Sequence, residues 1–146
     1  MNLFGMLQVS GSALLAERER AELSASNLAN AETTRTIEGG PYRRQDVVFA
    51  ARHPLVPGFA ATLASFTDIH TEGVQVAGVF QSSSPPVRRF EPSHPDADAA
   101  GYVSFPDINP VEESVNLVEA ARSYQLNVSA IQTIKAMIQS AIGIAV

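Results

Sequence analysis

With 146 residues, the chain is long enough for one ordinary domain, or for a small domain carrying extended helices, and too short for two large enzymatic domains. Its apolar fraction of 45% is near the soluble average, and a net charge of -5 argues against a general polyanion binder, so nucleic acid is not an expected partner. Cysteine and tryptophan are absent, which excludes disulfides, thiol nucleophiles and sulfur-ligated metal sites.

The first predicted element is a helix from Leu3 to about Ala31. Leu7, Leu14, Ala21 and Leu28 recur every seven residues, and Phe4, Gly11, Arg18 and Ala25 form the companion row that a coiled-coil seam uses. That companion row buries little side chain, so the helix needs a partner. Ser10, Gly11 and Ser12 interrupt the early hydrophobics and charge follows from Glu17 to Glu22, a pattern unlike a cleaved signal peptide. Asn30, Thr33 and Thr34 compete for backbone hydrogen bonds, and Gly39-Gly40-Pro41 cannot continue a helix, so the end is placed between Asn30 and Thr34.

In the middle, Val47 to Ala50, Gly73 to Phe80 and Gly101 to Phe105 have strand composition, with a fourth element around Thr62, Leu63, Phe66 and Ile69. Prolines confine regular structure to short pieces, and Ser82–Pro86 and Glu91–Gly101 read as solvent-facing connections. A second helix is expected from Val111 to about Ala141. Leu117, Ala121, Tyr124, Val128, Ile131, Lys135, Ile138 and Ile142 step by fours and threes, broken only by Lys135, while Ile134, Met137 and Ala141 widen the apolar face. Pro110 suits a first helical turn, and Glu112, Glu113 and Glu119 bring negative charge toward the positive helix end. No apolar run reaches bilayer length, so membrane insertion is not expected. The fold class is α+β: long terminal helices packed as a coiled-coil-like core, with a small, mostly β or irregular extended middle. The corresponding stretches are residues 1–34, 35–106 and 107–146.

Local chemistry is thin. His53, His70 and His94 have no zinc-ligand spacing, and His94 to Asp98 lacks the ordered oxygen-ligand loop of a calcium site. Ser10-Gly11-Ser12 falls in a helix rather than a strand-to-helix nucleophile elbow, and Glu38 to Gln45 lacks the lysine of a phosphate loop. Adjacent Glu112 and Glu113 point about 100° apart on a helix and form no facing acid/base pair. No catalytic residue, cofactor or metal is therefore expected. Arg43-Arg44 and Arg88-Arg89 suit directed contacts to acidic surfaces, and Tyr42, Tyr102 and Tyr124 suit interface anchoring. Two arrangements stay open on these grounds: a monomeric helix pair with an inserted module, or helices whose stripes are covered by other subunits.

The terminal segments carry a resemblance. Ser24 to Thr36, "SASNLANAETTRT", with Ser26-Asn27-Leu28-Ala29-Asn30 at its centre, resembles the N-terminal motif of the axial-protein family of the bacterial flagellum, which builds rod, hook and filament. Gly39 to Gln45, "GGPYRRQ", resembles a rod-type continuation, and Gly101 to Ile142 resembles the family's C-terminal segment, with Pro110 and Ser114 as departures. The resemblance implies a structural subunit of the proximal rod that assembles helically, transmits motor torque and forms the export channel wall. The alternatives are a soluble helical adaptor or another axial-family component. It also implies a basal-body location within the periplasmic space, export by the flagellar type III apparatus without a cleaved signal peptide, and as partners other rod proteins, copies of the chain, export-apparatus components and surrounding rings. The residues expected at the assembly interface are Leu7, Leu14, Ser26, Asn27, Leu28, Asn30, Arg43, Arg44, Arg122, Tyr124, Asn127, Val128, Ile131 and Ile138.

Overall fold

The computed structural model describes residues 3–52 and 73–144, in the order α1 (Leu3–Ala29), β1 (Gln45–Arg52), β2 (Gly73–Gln81), β3 (Val87–Phe90), β4 (Tyr102–Phe105) and α2 (Pro110–Ile144). The α+β class with long helices at both ends is as expected. Among the described residues the middle holds two separate two-stranded sheets, β1 with β2 and β3 with β4. The element around Thr62 to Ile69, together with His53 and His70, lies outside the described residues.

Both helices differ from expectation at their ends, for local reasons. At the end of α1 the Asn30 side-chain amide donates to the Ser26 carbonyl at 2.9 Å, and Thr33 Oγ1 donates to Asn30 Oδ1 at 3.2 Å. The Ser26 carbonyl still accepts from the Asn30 N–H at 3.0 Å, but beyond it the bonds tighten to three-residue turns, Ala31 N–H to the Leu28 carbonyl at 3.3 Å and Thr33 N–H to the Asn30 carbonyl at 3.0 Å, so α1 stops at Ala29, two residues short of the predicted Ala31. At the start of α2, Asn109 caps: its Oδ1 accepts from the Val111 N–H at 3.1 Å, and Pro110 fills the first helical position without an N–H to lose. The helix then runs to Ile144, past the predicted Ala141.

The buried rows also shift. On α1, Gly5, Ala16 and Asn27 are buried at intervals of eleven residues, a row that winds about 20° per repeat, in the opposite sense to a seven-residue row. Leu7, Leu14 and Leu28 lie about 100–160° around the helix from that row and are only half-buried. On α2, Ala120 and Ile134 are buried where the predicted series placed Ala121 and Lys135, which are exposed.

Two compact units share the chain. The first comprises residues 1–19, 49–77 and 120–146, and has Ala16, Ala120 and Ile134 among its buried apolar side chains. Within it, Ser12 ties β2 to α1: its Oγ accepts from the Val74 N–H at 3.0 Å and donates to the Val9 carbonyl at 2.7 Å. A Cβ on Gly73 would lie 2.7 Å from that Oγ, so the close approach requires glycine.

The second unit comprises residues 20–48 and 78–119. Here α1 and α2 run antiparallel, because Arg20 meets Glu119 while Asn27, further along α1, meets Glu113, further back on α2. The hairpin of β3 and β4 was missed from sequence, since Val87-Arg88-Arg89-Phe90 is exposed along its length and carries no inward apolar row. Its register pairs Val87 with Phe105, Arg89 with Val103, Arg88 with Ser104 and Phe90 with Tyr102. One face therefore presents Val103 and Phe105 to the core, with the Arg89 guanidinium 4.2 Å from the Phe105 ring centroid. The other face is open and carries Arg88 over Tyr102 at 5.0 Å and an edge-on Phe90–Tyr102 contact. Glu91 to Gly101, read as a solvent-facing connection, is the ordered loop of this hairpin. Asp98 organises it, its Oδ1 accepting from the backbone N–H groups of Ala100 and Tyr102, both at 2.9 Å.

Candidate assembly junction

The most heavily organised polar cluster in the described residues is where α1 ends, β1 begins and α2 starts. Asn27 is 1% exposed, and its side-chain amide is fully used. Its Nδ2 donates to the Gln45 carbonyl at 2.8 Å and to Glu113 Oε2 at 3.2 Å, while its Oδ1 accepts from the Gln45 N–H at 2.9 Å and from the Tyr42 hydroxyl at 3.2 Å. Taking both the N–H and the carbonyl of one residue makes this amide a substitute for a neighbouring strand. It anchors β1 at its first residue. Because Tyr42 spends its proton on Asn27, the Ser26 hydroxyl donates to Tyr42 at 3.3 Å.

Glu113 is also 1% exposed. A carboxylate this deep requires compensation, and Arg44 supplies it with an Nε to Oε1 hydrogen bond of 2.7 Å. Arg44 also reaches Asp46 at 3.3 Å and Glu112 at 3.9 Å. Burial works against the Arg44 charge, but the Glu113 hydrogen bond and the charges of Asp46, Glu113 and Glu112 outweigh it and hold the guanidinium above its ordinary pKa. The expectation that Glu113 serves only as helix-end charge is corrected: it closes an ion pair from α2 to the start of β1, made necessary by its burial.

Between Asn30 and Gln45 the chain turns sharply. Tyr42 N–H donates to the Thr33 carbonyl at 3.0 Å, and Thr36 N–H to the Gly40 carbonyl at 2.8 Å. Gly39 and Gly40 both have positive φ, 90° and 78°, a region that other residues enter only at a cost. The turn leaves Ile37 fully exposed and borders a cleft of about 650 Å³ flanked by Arg35, Glu38, Tyr42 and Arg43.

The structure brings Ser26, Asn27 and Arg44 into one network. Asn30 ends the helix beside it, Leu28 is half-buried, and Arg43 is exposed at the cleft. In the other unit, Leu7, Leu14, Asn127, Val128, Ile131 and Ile138 are half-buried, while Arg122 and Tyr124 are exposed. Asn127 donates to the Ser123 carbonyl of its own helix at 2.9 Å. Sequence reasoning missed Glu113 and Gln45 as network members. The available signal was Asn27 itself, an amide beside Leu28 of the predicted packing row, which needs partners if that side of the helix is buried.

Comparison with known proteins agrees with this architecture. A family model described as flagellar basal body rod FlgEFG protein C-terminal matches residues 99–144. Over 99% of its length the chain is 36% identical to the flagellar basal-body rod protein FlgC of Borreliella burgdorferi, spanning 98% of that protein. It is 42% identical to FlgC of Escherichia coli O6:H1, over 94% of this chain and 93% of the relative, and 36% identical to FlgC of Bacillus subtilis strain 168, over 99% of each. The chain belongs to the FlgC family of flagellar basal-body rod proteins. As a FlgC-family member it is a structural subunit of the flagellar basal-body rod, and the junction described above lies inside a structural protein.

Proposed function

We propose that this FlgC-family chain is a subunit of the proximal rod, assembling helically with copies of itself and with other proximal and distal rod proteins. In this reading residues 1–34 and 107–146 are the assembly helices and residues 35–106 form the outward module. The rod it helps to build carries motor torque and walls the export channel within the periplasmic space, and the chain reaches it through the flagellar type III apparatus. Export-apparatus and ring components are its further neighbours.

The observation that carries the reading is the amount of large apolar side chain left uncovered on both long helices. Phe4 and Leu15 on α1, and Val111, Val118 and Leu126 on α2, are each well over half exposed in a single copy. Burying such faces at about 25 cal/mol per Å² in every subunit gives substantial assembly free energy before ordering costs. Half-buried Leu7, Leu14, Leu28, Val128, Ile131 and Ile138, with Tyr124, Asn127 and Arg122, are the proposed seam. Ser26, Asn27, Asn30 and Arg44 shape the junction, and Arg43 faces a neighbour. Near full-length identity to rod subunits does not favour a closed one-to-one adaptor.

Leu28→Asp or Ile131→Asp places an unpaired charge in that seam and is expected to block rod incorporation and motility in cells lacking the native chain. Basal bodies purified from such cells and probed for the chain check this. Normal incorporation of both variants would remove the assigned seam.

A further inference from the structure

Two exposed features of residues 20–48 and 78–119 have been given no particular occupant. On α2, Val111, Val115 and Val118 are 71%, 53% and 67% exposed. Their spacing of four and three puts them in one row, within about 60° around the helix. Glu112 and Glu119 lie together on one flank of that row, roughly 80–100° around, and each stays 61% exposed beside its intramolecular arginine. The row faces away from the carboxylate of Glu113, which is buried.

The second feature is the cleft below the Gly39-Gly40 turn. Ile37 projects from its border, Thr33, Pro41 and Tyr42 line it, and Arg35 and Arg43 outnumber Glu38 at its edge. Arg35 has a 79% exposed side chain, with Asp96 3.9 Å away, and Arg43 has no carboxylate within ion-pair distance among the described residues. One surface is an apolar ridge with an acidic flank. The other is a recess of mixed lining, in which Asn30, Thr36, Gln45 and Gln81 accompany Ile37, Pro41 and Tyr42, with a basic border. They differ in shape and sign, and they occur on the same chain.

We propose that the Val111/Val115/Val118 ridge of one copy seats against the Ile37/Tyr42 cleft of a second copy, with Glu112 and Glu119 facing Arg35 and Arg43. This rests on the rod reading and sharpens it. A contact between two different patches of one chain leaves each copy a free ridge and a free cleft, so it propagates from copy to copy, into a ring if the rotation closes and a helix if it does not. The arginines orient the approach, since opposite potentials favour one register and like charges oppose the others. The area removed from water is supplied by the three valines and Ile37.

The natural chain has no cysteine, so engineered thiols are the only ones present. Cells lacking the native chain would co-express an Ile37→Cys copy and a Val115→Cys copy, and isolated basal bodies would be treated with a short thiol cross-linker. A covalent dimer is expected only when both variants are present, and a Ser93→Cys copy paired with Val115→Cys is expected to stay monomeric. Monomer alone in basal bodies containing both chains, or equal dimer in the Ser93 pair, overturns the contact and leaves the rod reading intact. Absence of even the native chain from basal bodies would overturn the rod reading instead. If a cysteine variant is not incorporated, charge exchange decides: Arg43→Glu is expected to lower incorporation roughly tenfold, and Arg43→Glu with Glu119→Arg in the same chain to restore it. No recovery in the paired variant overturns the contact.

Discussion

Asn27 satisfies four hydrogen-bonding positions from a site almost closed to water, so its replacement strands partners rather than merely removing a contact. Asn27→Ala is expected to destabilise the chain by about 3 kcal/mol in urea unfolding, because the Gln45 backbone groups lose a buried partner. Arg44→Met leaves Glu113 charged and buried, with an expected loss of about 3–5 kcal/mol, whereas Arg44→Met combined with Glu113→Leu recovers most of it. The comparison of those two unfolding curves separates a stranded charge from a lost attraction. At the hairpin loop, Asp98 accepts from the Tyr102 N–H first, then from the Ala100 N–H, with Arg88 adjacent, and its pKa falls below the ordinary carboxylate value. A depressed folded-state pKa contributes stability that is present above the unfolded value and lost as pH falls through the folded one. Carbon NMR titration is expected to show Asp98 ionised below the ordinary range for aspartates, and Asp98→Asn to remove that acid-side dependence of the hairpin.

Among the elements, the β3–β4 hairpin depends on Gly101, whose φ is 81° and whose added Cβ would lie 2.9 Å from the Phe90 ring. Gly101→Ala is expected to cost about 1–2 kcal/mol from the backbone alone, read as faster amide exchange across Val87–Phe90 and Tyr102–Phe105. This hairpin also marks the boundary of what the chain's pattern could reveal. Both long helices, the valine-bearing strands β1 and β2 and the alternating aromatic strand β4 were legible, since long periodicity and runs of β-branched or aromatic residues report directly on backbone state. β3 was not, because two arginines occupy half of it and its partner is supplied by a turn built on Asp98. The helix faces were legible as apolar but not as to what covers them: Val111, Val115 and Val118 stay exposed in one copy, while acidic Glu113 is buried. Hydrophobicity along a helix cannot tell a face turned to its own chain from one turned to a neighbour. The junction was visible as an unusual order of residues, but its ion pair depends on a carboxylate far along the chain.

For the whole molecule, that distance has a kinetic meaning. The Asn27–Glu113 hydrogen bond joins residues 86 apart, and Arg44 to Glu113 spans 69, so the junction forms only when both ends of the polypeptide have met. Contacts of such separation carry a loop-closure entropy cost, and on that ground they are expected to form late in folding. Interactions absent from the folding barrier act on the unfolding rate, so Asn27→Ala is expected to accelerate unfolding while leaving refolding nearly unchanged in stopped-flow measurements. A chain whose most buried polar contact joins segments so far apart in sequence is easily kept open while those segments are apart. Once they have met, it is slow to release.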